Sequence, residues 1–173
     1  SVFSKLLIGV DNPKLGLLSV GSEDGKGNIQ SKEASALFRK SGLNFIGNVE
    51  GNDLVTGKAD VVVCDGFVGN VVLKLVEGLG KGLAIQLKNS LEGKLPENQL
   101  DALMQDLYRN NNVVDARGGG PVFGVNGVSI IGHGSASSGT IERAVGLAKM
   151  CVDTNLIQEM NKEVSAVMST VED

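Results

Sequence analysis

The chain has 173 residues, 42% of them hydrophobic and 21% charged, enough for one domain or one large piece of a two-lobed enzyme with a sizeable core. Aromatics make up only 3%, with no Trp, so that core has to be aliphatic. The net charge of −4 and the absence of any dense basic run exclude nucleic acid as an expected partner.

Glycine is the outlier, at 24 residues spread over many turns without a collagen-like period. Such turns weaken a chain unless the backbone must bend sharply or come close to a ligand. Cys64 ends an apolar run and Cys151 sits in a helical pattern, far off in sequence; two buried reduced thiols are expected rather than a disulfide. No signal peptide or long apolar span is visible, so the reading is a soluble, cytosolic protein. Ser1 opens a helical pattern already under way, as in a chain that has been cut, processed or split.

In chain order, residues 15–20 (LGLLSV) read as a buried strand, followed by the polar glycine loop Gly21 to Asn28. Ala34, Leu37 and Phe38 stand at helical spacing, and Gly42 marks the end of that helix. Residues 43–47 form the next strand, completing the strand–helix–strand unit of a parallel sheet. Asn48 to Gly51 is a turn, and Asp53 to Lys58 a short helix or turn. Ala59 to Cys64 (ADVVVC) is the clearest buried strand and ends in the loop Asp65 to Asn70. A long helix is predicted from there to about Leu91. Gly93 and Pro96 interrupt it, and a second helix spans Glu97 to Tyr108, giving a helical hairpin over about 70–110.

Asn110 to Asn112 and Gly118 to Pro121 mark a loop, either a connector or backbone that must approach a ligand. Phe123 to Ile131 reads as a strand region broken by an Asn126-Gly127 turn or bulge, and Gly132 to Ser135 closes it. Two helices follow, Thr140 to Val152 and Leu156 to Val171, the second with Ile157, Met160, Val164, Val167 and Met168 on one face.

Three glycine-bearing segments fall at strand ends: Gly47 to Gly51, Asp65 to Asn70, and Gly132 to Ser135. Ligands of parallel α/β sheets bind at the carboxyl ends of strands. Gly69-Asn70 also opens a helix, whose first-turn N–H groups and positive end suit a phosphate or carboxylate. Lys26 adds charge, as does Lys74 one turn into that helix. Equally, Asn70 is a residue that caps helices and Asp65-Gly66 a pair that makes turns, with no ligand involved. His133 is the single histidine. Set between glycines after a strand, it is open to a structural, phosphate-binding or proton-moving role.

One His and two distant Cys argue against zinc. No GxGxxG between strand and helix, no P-loop and no GxSxG elbow appears. Cys64 beside Asp65 ends a buried strand and makes a poor nucleophile. Val71, Val72, Leu75, Val76, Leu79, Leu83, Ile85 and Leu87 form an apolar surface wider than one stripe, with Gly78, Gly80 and Gly82 permitting close helix approach; a dimer interface is expected there. The tip Leu91 to Leu95 mixes apolar and basic residues, and its composition favours a solvated turn over membrane contact.

Three strings carry a resemblance: NPKLGLLSVGSEDGKGN (Asn12 to Asn28), NFIGNVEGNDLVTGKADVVVCDGFVGNVVLK (Asn44 to Lys74) and GVNGVSIIGHGSA (Gly124 to Ala136). In order and spacing they closely resemble the phosphate acyltransferase family of bacterial phospholipid synthesis, the PlsX family. Nearly the whole chain is covered, and it resembles only the C-terminal half of that family. The resemblance implies a three-layer α/β/α fold similar to isocitrate and isopropylmalate dehydrogenases, with a mostly parallel or mixed sheet and a protruding hairpin. It also implies transfer of an acyl group from acyl-[acyl-carrier-protein] to inorganic phosphate without a cofactor, in a homodimer. The hairpin would serve dimer and peripheral membrane contacts, and the acyl phosphate would feed a membrane glycerol-3-phosphate acyltransferase.

Such a reaction must hold and aim phosphate and stabilise a thioester oxyanion. Asp65, Gly66, Gly69 and Asn70 are then placed around phosphate or acyl phosphate, with Asn48 and Glu50 on the neighbouring strand end. Lys26 and Lys74 supply charge, and His133 with Gly134 and Ser135 donates hydrogen bonds or moves a proton. Two departures from the family stand out. Its N-terminal half is not in the chain, which leaves a sheet edge to be covered. Asp115-Ala116-Arg117 also stands before the glycine run where tyrosines or other residues are expected. The competing readings are a phosphate acetyltransferase using coenzyme A thioesters, a hydroxythreonine-phosphate dehydrogenase, whose metal-binding histidines this segment lacks, and a fragment that only folds and dimerises.

Overall fold

The computed structural model describes residues 1–111, 117–134 and 136–171. The chain divides into two compact units, Ser1–Asp65 with Met150–Asp173, and Gly66–Lys149. The class is α/β.

In the first unit, strand β1 (Leu15–Leu18) lies between β2 (Phe45–Val49) and β3 (Val61–Val63), both parallel to it. Leu15 pairs with Phe45 and Val61, and Leu18 with Val49. The central strand is apolar on both faces because parallel sheets are covered on both. Leu15, Leu17 and Val49 are 2%, 3% and 0% exposed and form the heart of the core. Gly16 interrupts the leucines for a steric reason: a Cβ there would stand 2.6 Å from Val49 Cγ1 and 3.2 Å from Ala59 Cβ.

Helix α1 (Ile29–Lys40) connects β1 to β2. Asn28 starts it by accepting the Ser31 N–H at 2.8 Å, which satisfies one donor of the first turn. At its far end the Phe38 and Phe45 rings stand 5.3 Å apart, and the Arg39 guanidinium lies 5.7 Å from the Phe45 ring centre, tying helix to strand. Residues 51–54 form a single 3₁₀ turn that starts two residues before the short helix or turn expected over Asp53 to Lys58 and overlaps it at 53–54. Ahead of β3, Asp60 brackets Lys14: its carboxylate accepts the Lys14 N–H at 2.7 Å and its own N–H donates to the Lys14 carbonyl at 2.9 Å.

In the second unit, helix α2 (Gly66–Leu91) and helix α3 (Glu97–Asn111) form the expected hairpin, with Gly80 and Leu100 buried. The Leu91 carbonyl closes the turn by accepting from the N–H groups of Lys94 and Leu95. Among the described residues of this unit only Gly120–Pro121 (β4) and Ile130–Ile131 (β5) pair as strands, antiparallel, and the Val122 N–H extends the hairpin to the Ser129 carbonyl at 2.8 Å. The strand expected over 123–131 is thus mostly a bend, because its Gly124 and Asn126-Gly127 turn the chain rather than extend it.

Helix α4 (Ser138–Asp153) starts two residues earlier than its spacing predicts. Ser137 caps it: its Oγ accepts the Thr140 N–H at 3.2 Å, and Thr140 Oγ1 accepts the Ser137 N–H at 3.3 Å. Helix α5 (Leu156–Val171) follows and packs on α1 in the first unit; Asn155, with φ 51°, makes the left-handed step before it. Both cysteines are free thiols, Cys151 buried and Cys64 half-buried. Among the described residues no helix is long and apolar enough to cross a membrane.

Candidate functional site

The candidate residues fall into two groups, one in each unit. In the first, the Gly21–Gly27 loop leaves the carboxyl end of β1 and is pinned by the carboxyl end of β2. Asn48, buried in the last turn of the strand ladder, donates from Nδ2 to the Glu23 carbonyl at 3.1 Å and to the Lys26 carbonyl at 3.5 Å. Glu50 Oε1 accepts the Ser22 N–H at 3.0 Å. Gly21 is buried beneath the Glu23 carboxylate and the aliphatic stem of Lys26, where a Cβ would stand 2.7 Å from Glu23 Oε2 and 3.1 Å from Lys26 Cγ. The strand end therefore brings Lys26, Asn48 and Glu50 together, with Lys26 exposed to solvent. Asn48 belongs to β2 itself rather than to a turn after it.

Asp53, read in the sequence only as the start of a short helix or turn and not as a site residue, organises the base of this group. Its Oδ2 accepts the Glu50 N–H at 2.9 Å and the Lys58 ammonium at 2.8 Å. The Glu50 N–H and then the Lys58 contact hold its carboxyl below the ordinary carboxylate range. Three residues from Glu50, it had a signal in the sequence, the reciprocal Glu-x-x-Asp spacing of a capping turn. Ser19, just past β1, is a second missed residue: its Oγ is buried and has no hydrogen-bond partner among the described residues.

The second group lies at the start of α2. The helix begins at Gly66, three residues before the expected opening at Gly69-Asn70. Gly66 and Gly69 are therefore helical, and Asn70 sits in the second turn rather than capping the first. The residues immediately after Asp65 now supply the first-turn N–H groups, which by helix geometry point along the axis toward its positive end. Lys74 moves with the start. It stands about 12 Å along the axis from Gly66 instead of one turn in, and its ammonium donates to Glu77 Oε2 at 3.0 Å.

Glu77 is the partner of one of the second unit's charged candidates, Lys74. Its carboxyl is held below the ordinary range first by the Lys74 hydrogen bond, then by the charges of Lys74, His133 and Lys81, against some burial. Its signal in the sequence was the three-residue Lys74–Glu77 spacing on one helix face. His133 and Gly134 are exposed and follow β5, an antiparallel strand, so this segment is not the end of a parallel strand as the sequence implied. Ser135 and Asp115-Ala116 lie outside the described residues.

The glycine run before β4 approaches backbone, not open space: a Cβ on Gly118 would collide with the main chain of Ala144, and one on Gly119 with the Ile131 carbonyl. Cys64 is a poor nucleophile, since burial and then the Asp65 charge raise its thiol pKa. No group of three His, Cys, Asp or Glu side chains suited to a metal occurs among the described residues.

The sequence profile of the family described as fatty acid synthesis protein matches residues 1–159. A protein named phosphate acyltransferase from Halothermothrix orenii is 45% identical over 172 residues, 94% of this chain and 51% of that one. Phosphate acyltransferases from Desulfitobacterium hafniense and Acetivibrio thermocellus are 42% and 40% identical, over 95% and 94% of this chain and 50% and 49% of their own. The chain spans about half the length of the curated relatives it matches. With a profile match over most of its length, the chain belongs to the fatty acid synthesis protein family.

Proposed function

We infer that the chain is the C-terminal portion of a phosphate acyltransferase that makes acyl phosphate from acyl-[acyl-carrier-protein] and inorganic phosphate in phospholipid synthesis. The observation that carries the phosphate part is the glycine loop bearing Lys26, pinned by Asn48 and Glu50 at the carboxyl end of parallel strands, the edge where such sheets take ligands. The names of the relatives support the acyl part. The fuller fold proposed is the three-layer α/β/α architecture of isocitrate and isopropylmalate dehydrogenases.

A phosphate oxygen attacks the thioester carbonyl, the tetrahedral oxyanion collapses, and the carrier thiolate leaves and takes up a proton. Lys26 meets the phosphate charge. The start of α2, with Asp65, Gly66, Gly69 and Asn70, is proposed to face anionic oxygen, as main-chain N–H groups at a helix start favour it. His133, with Gly134 and Ser135, is proposed to donate hydrogen bonds or move the proton, and Lys74 to balance charge through Glu77.

A homodimer is proposed through α2. Phe67, Val71, Leu75, Leu79, Leu83 and Leu87, each four residues from the last, are all exposed, a continuous ridge that spirals about half way round the helix. Peripheral contact with the cytoplasmic membrane face, and delivery to a membrane glycerol-3-phosphate acyltransferase, complete the proposal.

The deciding assay compares acyl phosphate formation from long-chain acyl-[acyl-carrier-protein] with formation from acetyl-coenzyme A. Product from the carrier-bound substrate, lost in K26A, supports this reading; product from acetyl-coenzyme A alone would assign a phosphate acetyltransferase instead.

A further inference from the structure

We propose that Glu50 is a positioning residue that acts on phosphate through the Gly21–Gly27 loop rather than by touching it. The inference rests on the phosphate reading of Lys26 above.

A carboxylate is a poor direct ligand for phosphate, since both are anionic at neutral pH. Glu50 has a different occupation. Its Oε1 accepts the Ser22 N–H at 3.0 Å, across 28 residues of sequence, while Asn48 Nδ2 holds the adjoining Glu23 carbonyl at 3.1 Å and, more loosely, the Lys26 carbonyl on the other limb at 3.5 Å. Apart from these anchors the loop has little to hold it in place. Val20 is 86% exposed, Ser22 to Lys26 are exposed, and the internal bond is a single turn from the Lys26 N–H to the Glu23 carbonyl at 3.2 Å. The ion pair from Arg39 to Asp24 is solvent-exposed at both ends and contributes little.

Glu50 is itself set from behind. Its N–H donates to Asp53 Oδ2, its carbonyl accepts the Asp53 N–H at 3.0 Å, and Lys58 holds the Asp53 carboxylate. The chain of contacts runs from Lys58 through Asp53 and Glu50 to Ser22, and by the loop to Lys26. Its output is the place of the Lys26 ammonium.

The test measures Ser22 amide hydrogen exchange and inorganic phosphate affinity, both by NMR, on the wild type, E50A, E50Q, K26A and the E50A/K26A double variant. E50A is expected to speed Ser22 exchange and weaken phosphate, each by about tenfold, the scale of one lost hydrogen bond to a charged group. E50Q keeps an acceptor oxygen and is expected to restore both. The double variant is expected to bind phosphate no more weakly than K26A, because both changes act through one group.

Unchanged Ser22 exchange in E50A, or phosphate losses that add in the double variant, would overturn the proposal. A wild type that binds no phosphate would overturn the reading of Lys26 and the phosphate role of Glu50 with it, while Ser22 exchange would still decide whether Glu50 holds the loop. Should E50A not fold, E50D keeps the charge, shortens the reach by one methylene and gives the same readings.

Discussion

Gly118 lies against Ala144 so closely that a single methyl group on it would run into the main-chain nitrogen of α4. Its φ of +85° disfavours any other residue as well. Gly118→Ala therefore combines backbone strain with a clash that no side-chain rotation relieves, and is expected to cost at least about 2 kcal/mol in urea unfolding.

Gly78 and Gly82 make the opposite case. A Cβ at either meets nothing within 4 Å among the described residues, and both are inside α2. Gly82→Ala is expected to stabilise the monomer by about 0.5–1 kcal/mol through helix propensity alone. If α2 is the dimer interface, the same change is expected to weaken self-association in analytical ultracentrifugation.

Leu17 is 3% exposed on the central strand. Leu17→Ala is expected to cost about 2–5 kcal/mol, through lost transfer energy and the cavity left behind. Calorimetric unfolding checks it.

Asp53 supplies the pH test. Its folded pKa is depressed, first by the Glu50 N–H and then by Lys58, so the unfolded chain binds the proton more readily. The stability it contributes is present above its unfolded pKa and is lost as pH falls through its folded one. The gap in melting temperature between the wild type and D53N is therefore expected to be constant near neutrality and to close from about pH 4 downward.

The parallel core was legible in the sequence because its signals are local. Leu15 to Leu18 and Val61 to Val63 are short aliphatic runs, and Asn28 and Gly42 bracket α1 with residues whose capping chemistry is fixed. The start of α2 was not, since Gly66 and Gly69 are weak helix formers and Asp65-Gly66 makes a turn as readily as a helix start. Nor was the role of β5, because Phe123 to Ile131 has strand-like side chains while the backbone pairs only at Ile130 and Ile131.

Within the candidate site, Lys26, Asn48 and Glu50 were visible as polar residues at strand ends. What each one holds was not. The Glu50–Ser22 bond crosses 28 residues and leaves no periodic trace, whereas the Lys74–Glu77 pair, three residues apart, was within reach of the sequence.

Phosphate titration of the melting temperature tests the phosphate assignment most directly. The wild type is expected to melt higher as inorganic phosphate rises, in line with binding to the folded state alone, and K26A to respond far less. Identical melting of wild type and K26A at every phosphate concentration would contradict it.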